Sequence, residues 1–560
     1  MWFIKPWCLN RILQSAIINN DSMRSVKGKI VDPVARRIFN GEIKIEDQKI
    51  VDIREVESVP DRYIMPGLID SHIHIESSML VPSEFARIAV RHGTVGTVSD
   101  PHEIANVCGK EGVEYMINNG NKVPLKFYFG VPSCVPATPF ETAGAELNKD
   151  DVAELLQRDD IHYLAEMMNW PGVLNDDPGI LAKIKSALDL GKPIDGHAPG
   201  LKGDKAKKYV SAEISTDHEC FTKEEAIDKL NAGMLIAIRE GSAAKNYDAL
   251  IDLFDEYPNK LMFCSDDKHP DDLIRGHINQ LVTQTLQHGY DLFDILHAAC
   301  VLPVRHYALQ VGLLQKGDPG DFIIVDDPKS MDIRETWING TPVFKDEQIL
   351  FPEVKDRQIN NFTSYDVNPD DFILKSGNVK QPVIVAKDGQ LVTEGETITL
   401  EIENGIIQAD PGRDILKIAV VNRYKKQAPT VAFIKNFGIK TGAIASSVAH
   451  DSHNIIAVGS SDEYLSKAVN LIMKHQGGIS AVSEEYEKIL PLPIAGLMSD
   501  EPGERVAAEY EKLTQTAREM GSTLNSPFMT ISFMGLLVIP SLKLSDKGLF
   551  DGNTFEFVEQ

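Results

Sequence analysis

Cysteine is scarce in this chain, with six residues in 560 at Cys8, Cys108, Cys134, Cys220, Cys264 and Cys300. No two of them form a C-x-x-C pair, so a disulfide framework is not expected and the usage fits a reducing, cytoplasmic setting. Long apolar runs are also missing. No window of about 18 apolar residues occurs, so no membrane-spanning helix is expected. The N-terminal stretch MWFIKPWCLNRILQSAIIN is interrupted by Lys5, Pro6, Asn10 and Arg11, and no A-x-A site follows, which argues against a signal peptide. Basic charge is in deficit, with 57 Lys and Arg against 82 Asp and Glu and a net charge of −25. A nucleic-acid binder needs a basic surface for phosphate, and an anionic membrane selects for one too, so neither partner is expected. Low hydrophobicity is not a feature: 43% of residues are hydrophobic, which excludes a disordered chain.

A chain of 560 residues exceeds one hydrophobic core, so two or three domains are expected. Residues 26–60 alternate in β fashion, with turn signals at Asn40-Gly41 and Asp47-Gln48, and the style returns at 320–350. These flanks are expected to pair into one small β domain, a sandwich. Between them, short apolar runs at 64–75, 94–99, 125–131, 161–166, 193–197, 213–218, 234–239 and 260–266 alternate with helical stretches. The helices are expected at 82–92, 103–119, 178–190, 222–232, 246–256 and 272–288. Asp177-Pro178, and Thr222 before Glu224-Glu225, read as helix starts. Eight strands alternating with helices predict an α/β chain with a (β/α)8 barrel. Residues beyond about 360 mix strands, turns at Lys387-Asp388-Gly389 and Glu403-Asn404-Gly405, and helices at 461–475 and 503–521, and read as an α+β domain. The expected division is 1–60 for an N-terminal extension and the first part of the small β domain, 61–305 for the barrel, 306–358 for the second part and 359–560 for the C-terminal domain.

The chemistry concentrates at the strand ends. His72 and His74 are two apart on the first barrel strand, so both imidazoles point to one side. Glu166 ends the fourth strand, His197 the fifth, His218 the sixth and Asp266 the eighth. Barrel enzymes carry their catalytic groups at these C-terminal ends, and imidazole and carboxylate suit Zn, Mn or Fe. Any one of these residues alone could be a satisfied core histidine or a cap; six in register are hard to explain that way. Asp100, His102 and Glu103 leave the second strand at the same rim and read equally as substrate contacts or, with Pro101, as a helix start. Arg239 ends the seventh strand and is either a substrate contact or an ion-pair partner. Glu76, with Ser77 and Ser78, lies in the first loop. Asp267 rivals Asp266 for the strand-eight position, but Asp266 follows the apolar run more closely and Asp267 reads as a cap or supporting group. His162, His277, His288 and His297 read as ordinary core or surface residues. The H-x-E half of the zinc deaminase signature occurs at His74-Ile75-Glu76, but no P-C-x-x-C follows, so that fold is excluded.

This set resembles the amidohydrolase superfamily and, within it, the adenine deaminase family. The residues that carry the resemblance are Pro66-Gly67-Leu68-Ile69-Asp70-Ser71-His72-Ile73-His74-Ile75-Glu76-Ser77-Ser78, Asp100-Pro101-His102-Glu103-Ile104-Ala105-Asn106-Val107, Glu166-Met167-Met168-Asn169-Trp170-Pro171-Gly172-Val173, Asp195-Gly196-His197-Ala198-Pro199-Gly200, Arg239-Glu240-Gly241-Ser242-Ala243 and Cys264-Ser265-Asp266-Asp267-Lys268-His269-Pro270. In the C-terminal domain, Gly442 to Asn454, Leu490 to Ser499 and Leu542 to Phe550 add to it. Tyr424 departs from the pattern, where His is expected.

The resemblance implies a dinuclear metal centre, Mn2+ foremost with Fe2+ or Zn2+ as alternatives. His72 and His74 would bind one metal, His197 and His218 the other, with Glu166 bridging. It implies hydrolysis of adenine to hypoxanthine and ammonia, a purine-salvage step, by a metal-activated hydroxide, with Asp266 as base then acid and Glu166 assisting proton transfer to the ring. Glu76, Asp100, His102, Glu103 and Arg239 are candidate substrate contacts. His450-Asp451-Ser452-His453 is expected to be structural or to close the site rather than to form a separate metal centre. Family members associate, so a homo-oligomer, a dimer, is expected. The alternatives are the same chemistry on a related purine or cyclic amide, and a non-catalytic scaffold.

Overall fold

A computed structural model describes residues 23–559, and the N-terminal stretch read above for a signal peptide lies outside the described residues, as does Cys8. The barrel strands are β1 (Leu68–Ile73), β2 (Thr94–Ser99), β3 (Lys126–Val131), β4 (Ile161–Met167), β5 (Ile194–Gly196), β6 (Thr216–Asp217), β7 (Leu235–Arg239) and β8 (Leu261–Cys264). All neighbours are parallel. They form a five-stranded sheet, β1 to β5, and a three-stranded sheet, β6 to β8. Backbone hydrogen bonds join the two sheets at both seams: the Ser215 amide donates to the Ile194 carbonyl at 2.9 Å, and the Asp266 amide to the His72 carbonyl at 2.9 Å. The result is a TIM-like ring. β1, β2 and β8 are buried at every position, because helices cover the outer face and side chains fill the interior.

The connecting helices start where the sequence places them. The Asp177 carboxylate accepts from the Gly179 and Ile180 amides, and the Thr222 hydroxyl accepts from the Glu225 amide, satisfying orphan N–H groups of the first turn. Helix Pro82–Ala89 buries Phe85 and Ile88 against the barrel, each worth about 1.5–3 kcal/mol. Two expected helices are broken by glycine. The stretch 103–119 divides into His102–Cys108 and Lys110–Gly120 at Gly109, whose φ of +60° with ψ of −141° suits glycine alone. The stretch 272–288 divides at Gly276.

The flanking strands share one eight-stranded sheet: Arg24–Asp32, Arg37–Glu46, Lys49–Glu55 and Tyr63–Pro66 pair into the same ladder as Phe322–Val325, Ile333–Ile338, Thr341–Lys345 and Gln348–Ile349. Val26, Ile30, Ile43, Ile45, Ile64, Phe322, Ile324 and Trp337, drawn from both flanks, gather in a single apolar cluster. The expected turn at Asn40-Gly41 is not formed. Both residues lie within the strand Arg37–Glu46, and Gly41 pairs with Gly28 and Glu55. The chain instead reverses at Pro33–Arg36, where the Asp32 carboxylate accepts from the Val34 and Ala35 amides. Gly41 serves packing, since a Cβ there would stand 2.3 Å from Ile30 Cδ1. Asp47-Gln48 does turn, with φ of +46° and +69°.

The C-terminal part is built on a second eight-stranded sheet with helices Asp462–His475 and Gly503–Glu519. Alternation divides its strands cleanly. Ala419, Val421, Ala445 and Ala457 pack under the first helix with Leu465, Val469 and Ile472, whereas Ile418, Val420, Ile444 and Val458 join the apolar cluster that runs on into the barrel. The turns at Gly389 and Asn404-Gly405 have positive φ, as expected. This part sits on the barrel mouth: the Asn454 side chain donates to the Thr142 carbonyl at 2.8 Å, and the Ser499 amide to the Met79 carbonyl at 2.8 Å.

Candidate metal centre

The strand ends deliver four imidazoles and two carboxylates to one buried chamber. His72, His74, Glu166, His197, His218 and Asp266 are each less than a tenth exposed. Nε2 of His72 and Nε2 of His74 face each other at 3.1 Å, and Asp266 Oδ1 lies 3.6 Å and 3.2 Å from them. Glu166 stands between two groups of histidines. Its Oε1 is 3.5 Å from His74 Nε2, and its Oε2 is 2.7 Å from His197 Nδ1 and 3.2 Å from His218 Nε2.

The residues present fit a pair of divalent cations. Lone-pair nitrogens and carboxylate oxygens converge from opposite sides on the one carboxylate that can face both. His72 Nδ1 and His197 Nε2, the ring atoms turned away from this centre, have no hydrogen-bond partner. The His74 ring is oriented by its Nδ1, 3.0 Å from the Asp100 carbonyl, the support that fixes the tautomer of a ligating histidine. Asp266 has a φ of +53°, outside the usual range for a residue with a Cβ. The turn is held by its amide on the His72 carbonyl and by the His74 amide on its own carbonyl at 3.3 Å, and it aims the carboxylate at the imidazole pair. Asp267 points elsewhere, accepting from Ser77 Oγ.

Charge sets the ionisation. Burial alone would push the Glu166 carboxyl up, but His197 and His218 hold it well below the usual carboxylate range. Burial opposes ionisation of Asp266 too, and the Arg239 guanidinium, with His72 and His74, keeps it well below. Burial lowers His197, yet Glu166 and Glu219 raise it to about 9. Burial and the neighbouring His102 lower His74, but Asp266 and Glu166 raise it well above the ordinary imidazole value.

Around this set lie the other candidates. Asp100 is not a helix cap: its Oδ2 is 3.2 Å from His102 Nδ1, and His102 Nδ1 is 3.4 Å from Glu166 Oε1. Glu76, fully buried, accepts from the Ile104 amide at 3.2 Å, and burial raises its carboxyl to about 7. Glu103 Oε1 lies 2.8 Å from Ser77 Oγ, whose one proton is contested with Asp267 Oδ1, and burial, with Asp267 and Glu76 beside it, pushes the Glu103 carboxyl well above the usual carboxylate range. Arg239 is committed to ion pairs, with Nη1 on Asp266 Oδ2 at 2.6 Å and both terminal nitrogens on Glu219, while Nε donates to the Ala244 carbonyl. His450 and Asp451 reach the rim from the C-terminal part, and the Tyr424 hydroxyl donates to the Ser452 carbonyl of the same loop.

Sequence reasoning missed three partners. Glu219 Oε1 lies 3.6 Å from His218 Nε2 and 3.8 Å from His197 Nδ1; its place directly after His218 was the available signal. Asp70 accepts from the His72 and Ser265 amides, from Ser265 Oγ and, at 2.7 Å, from His277 Nε2, tying β1 to the exit of β8. The alternation that aligns His72 with His74 also aligns Asp70. His277, read as an ordinary residue, carries no local signal.

The model of the amidohydrolase family matches residues 63–343, and that of the adenine deaminase C-terminal domain matches 390–556. An adenine deaminase of Salinibacter ruber is 56% identical over 538 residues, 96% of this chain and 98% of its own. Those of Methanosarcina barkeri and Borreliella burgdorferi are 53% and 50% identical, covering 96% and 95% of this chain and 99% of each relative. The chain belongs to the adenine deaminase family. Both halves of it are therefore family elements, the loop bearing His450 and Asp451 included. Among solved structures, a β-aspartyl dipeptidase from Fervidobacterium islandicum is similar at a TM-score of 0.45 and 15% identity, over 60% of this chain and 100% of its own.

Proposed function

We propose that this chain hydrolyses adenine to hypoxanthine and ammonia in the buried chamber at the mouth of its barrel. Glu166 carries the reading, because it is the one carboxylate with an oxygen toward each group of histidines. His72 and His74 would hold one divalent cation, His197 and His218 a second, Glu166 would bridge them, and Asp266 would complete the first site. Mn2+ would be the foremost metal, with Fe2+ and Zn2+ compatible with the same donors. Such cations acidify water near neutral pH and so supply the nucleophile for C6 of the purine.

The protein's own groups handle the protons. Arg239 holds Asp266 through Oδ2, which leaves Oδ1 facing the His72 and His74 nitrogens and ionised at neutral pH, placed to accept a proton from water and return it to the departing amine. Glu166 would assist proton transfer to the ring. Glu76, Asp100, His102 and Glu103 line the substrate side, whereas Arg239 acts by positioning Asp266 and Glu219. The working division is a flank-built β domain (to 60 and 306–358), a barrel (61–305) and a C-terminal domain (359–560) in a cytoplasmic homodimer.

The test is ammonia release from adenine by Mn2+-loaded protein and by Asp266→Asn. The variant should lose roughly 10²- to 10⁴-fold in kcat while still binding two metals per chain. Full activity in the variant would refute the role of Asp266. A metal-loaded wild type inert on adenine would refute the substrate and direct attention to related purines and cyclic amides.

A further inference from the structure

The loop Val448–Asn454 is held over the barrel mouth by several independent contacts. The His450 amide donates to the Ser532 carbonyl at 3.1 Å, and its ring stacks on Phe533 with centroids 4.8 Å apart. Tyr424 and Asn454 fix the residues that follow. So placed, the loop adds two polar side chains to the rim: His450 Nδ1 lies 3.3 Å from Glu103 Oε1, and Asp451 Oδ1 lies 3.6 Å from His102 Nε2.

This rim has polar capacity that the protein itself does not use. Glu103 Oε2, His450 Nε2, Glu76 Oε2 and Asp451 Oδ2 are buried and have no hydrogen-bond partner. Glu103 and Glu76 are 0% exposed, Asp451 3% and His450 4%. Buried polar atoms are almost always paired, so four orphans around one rim point to a polar ligand that completes them. None of the four residues belongs to the proposed metal ligands.

The chemistry of the ligand follows from the reaction proposed above, on which this inference rests. C6 carries the bond that breaks and must lie among His72, His74, Glu166 and Asp266. The five-membered edge of the base then projects away from that centre. An unsubstituted purine offers along this edge one N–H donor and one bare ring nitrogen. A carboxyl oxygen accepts from the first and an imidazole N–H donates to the second. Glu103, one residue beyond His102 on the same helix, has Oε1 taken by Ser77 and Oε2 free, and His450 has Nε2 free. We propose that Glu103 of the barrel and His450 of the C-terminal domain together hold the imidazole edge of the purine, so that the C-terminal domain supplies part of the substrate site. That domain is then required for recognition and is more than a cover.

Equilibrium binding by calorimetry tests this in the metal-loaded full chain carrying Asp266→Asn, which slows consumption of the ligand, with adenine and with 9-methyladenine, which has no N–H on that edge. A site built to bond an N–H rejects an analogue that lacks it, so this chain, unaltered at Glu103 and His450, should bind adenine at least tenfold more tightly. Glu103→Gln should lose at least tenfold in adenine affinity and change 9-methyladenine less than threefold, with metal content unaltered. His450→Gln should likewise raise the KM for adenine more than it lowers kcat. Equal weakening of both ligands, or no weakening of either, would overturn the proposal. Ammonia release by wild type is scored separately. Its absence would sink the deaminase reading, whereas the binding cycle decides the subsite by itself.

Discussion

Lys229 offers a sharp test of how the second histidine pair is held. The side chain is fully buried in helix Lys223–Ala232, and its Nζ touches Glu225 Oε1 at 2.8 Å, the Ala198 carbonyl at 2.7 Å and Asp217 Oδ2 at 3.0 Å. Asp217 in turn accepts from the Ala198 and Glu219 amides. One ammonium therefore ties the residue after His197 to the residue before His218. Each contact with a carboxylate at about 3 Å is worth about 5 kcal/mol of gross attraction at an effective dielectric of about 20, most of it spent on desolvation. Burial pushes Lys229 down, but Asp217 and Glu225 hold it above its ordinary value, so it is charged throughout the physiological range.

Lys229→Met keeps the packing volume and removes the charge, leaving two buried carboxylates without a counter-ion. Breaking such a cluster costs about 3–5 kcal/mol. For a barrel of this size that corresponds to roughly 6–20 °C in Tm. The assay is thermal unfolding of the metal-loaded protein followed by circular dichroism, with metal counted per chain. Adding Asp217→Asn should recover part of the loss, because one orphaned charge is removed with its partner. A shift below about 2 °C for Lys229→Met would refute the reasoning, as would a double variant less stable than the two losses added together.

Two further perturbations follow from the structure. Asp70→Asn leaves the carboxylate's shape but replaces an oxygen that accepts from Ser265 or His277 with an amide donor; kcat should fall roughly 10- to 100-fold with the fold retained, and unchanged kinetics would argue that Asp70 does not position Asp266. His92 and His306 are each pushed down to about 4 by burial, with His277 adding to the effect on His92. The folded chain keeps them neutral while the unfolded chain protonates near pH 6.5. Stability should thus be complete above about pH 6.5 and fall toward pH 4 by up to about 1.4 kcal/mol per pH unit per histidine. His306→Gln should remove one histidine's share of that slope between pH 6.5 and 5, and an unaltered slope would refute the assignment.

The strands were legible as short apolar runs, several of which lead into a polar residue where the chain meets the chamber. His197, His218 and Asp266 are readable for that reason alone, and Asp177 and Thr222 mark helices because a side-chain acceptor must meet the first-turn amides. What could not be read is three-dimensional. The Asn40-Gly41 pair has turn composition, yet glycine is there to admit Ile30, a neighbour known only once strands Arg24–Asp32 and Arg37–Glu46 are in register. Arg239 was undecided between substrate and ion pair because its partners, Glu219 and Asp266, lie 20 and 27 residues away. His277 reaches Asp70 across 207 residues, and no local pattern announces it. His450 and Asp451 were visible as a polar cluster, but their place beside His102 and Glu103 depends on how the C-terminal sheet docks.

The charge of the chamber ties these observations together and yields a last prediction. Glu166, Asp266, Glu219, Asp100 and Asp451 lie within ion-pair distance of its imidazoles, and Arg239 is the cation that pairs with two of them. With Glu103 beside His450 set apart, because burial and Asp267 push its carboxyl well above the usual range, these five carboxylates against one guanidinium leave four negative charges, the charge that two divalent cations neutralise while the histidines stay neutral. Without metal, the same field must gather protons on the imidazoles. Asp266 and Glu166 accordingly raise His74 well above its ordinary value against its burial, and His197 reaches about 9. Metal can bind only the neutral rings, so loading the apo protein at pH 7 should expel about two protons per chain from these two histidines. Calorimetry of Mn2+ binding in buffers of different ionisation enthalpy counts them directly. Release should diminish as the pH is raised and the rings lose their protons before metal arrives, and metal binding at pH 7 with no proton release would show that the carboxylates do not govern the imidazoles as the geometry requires.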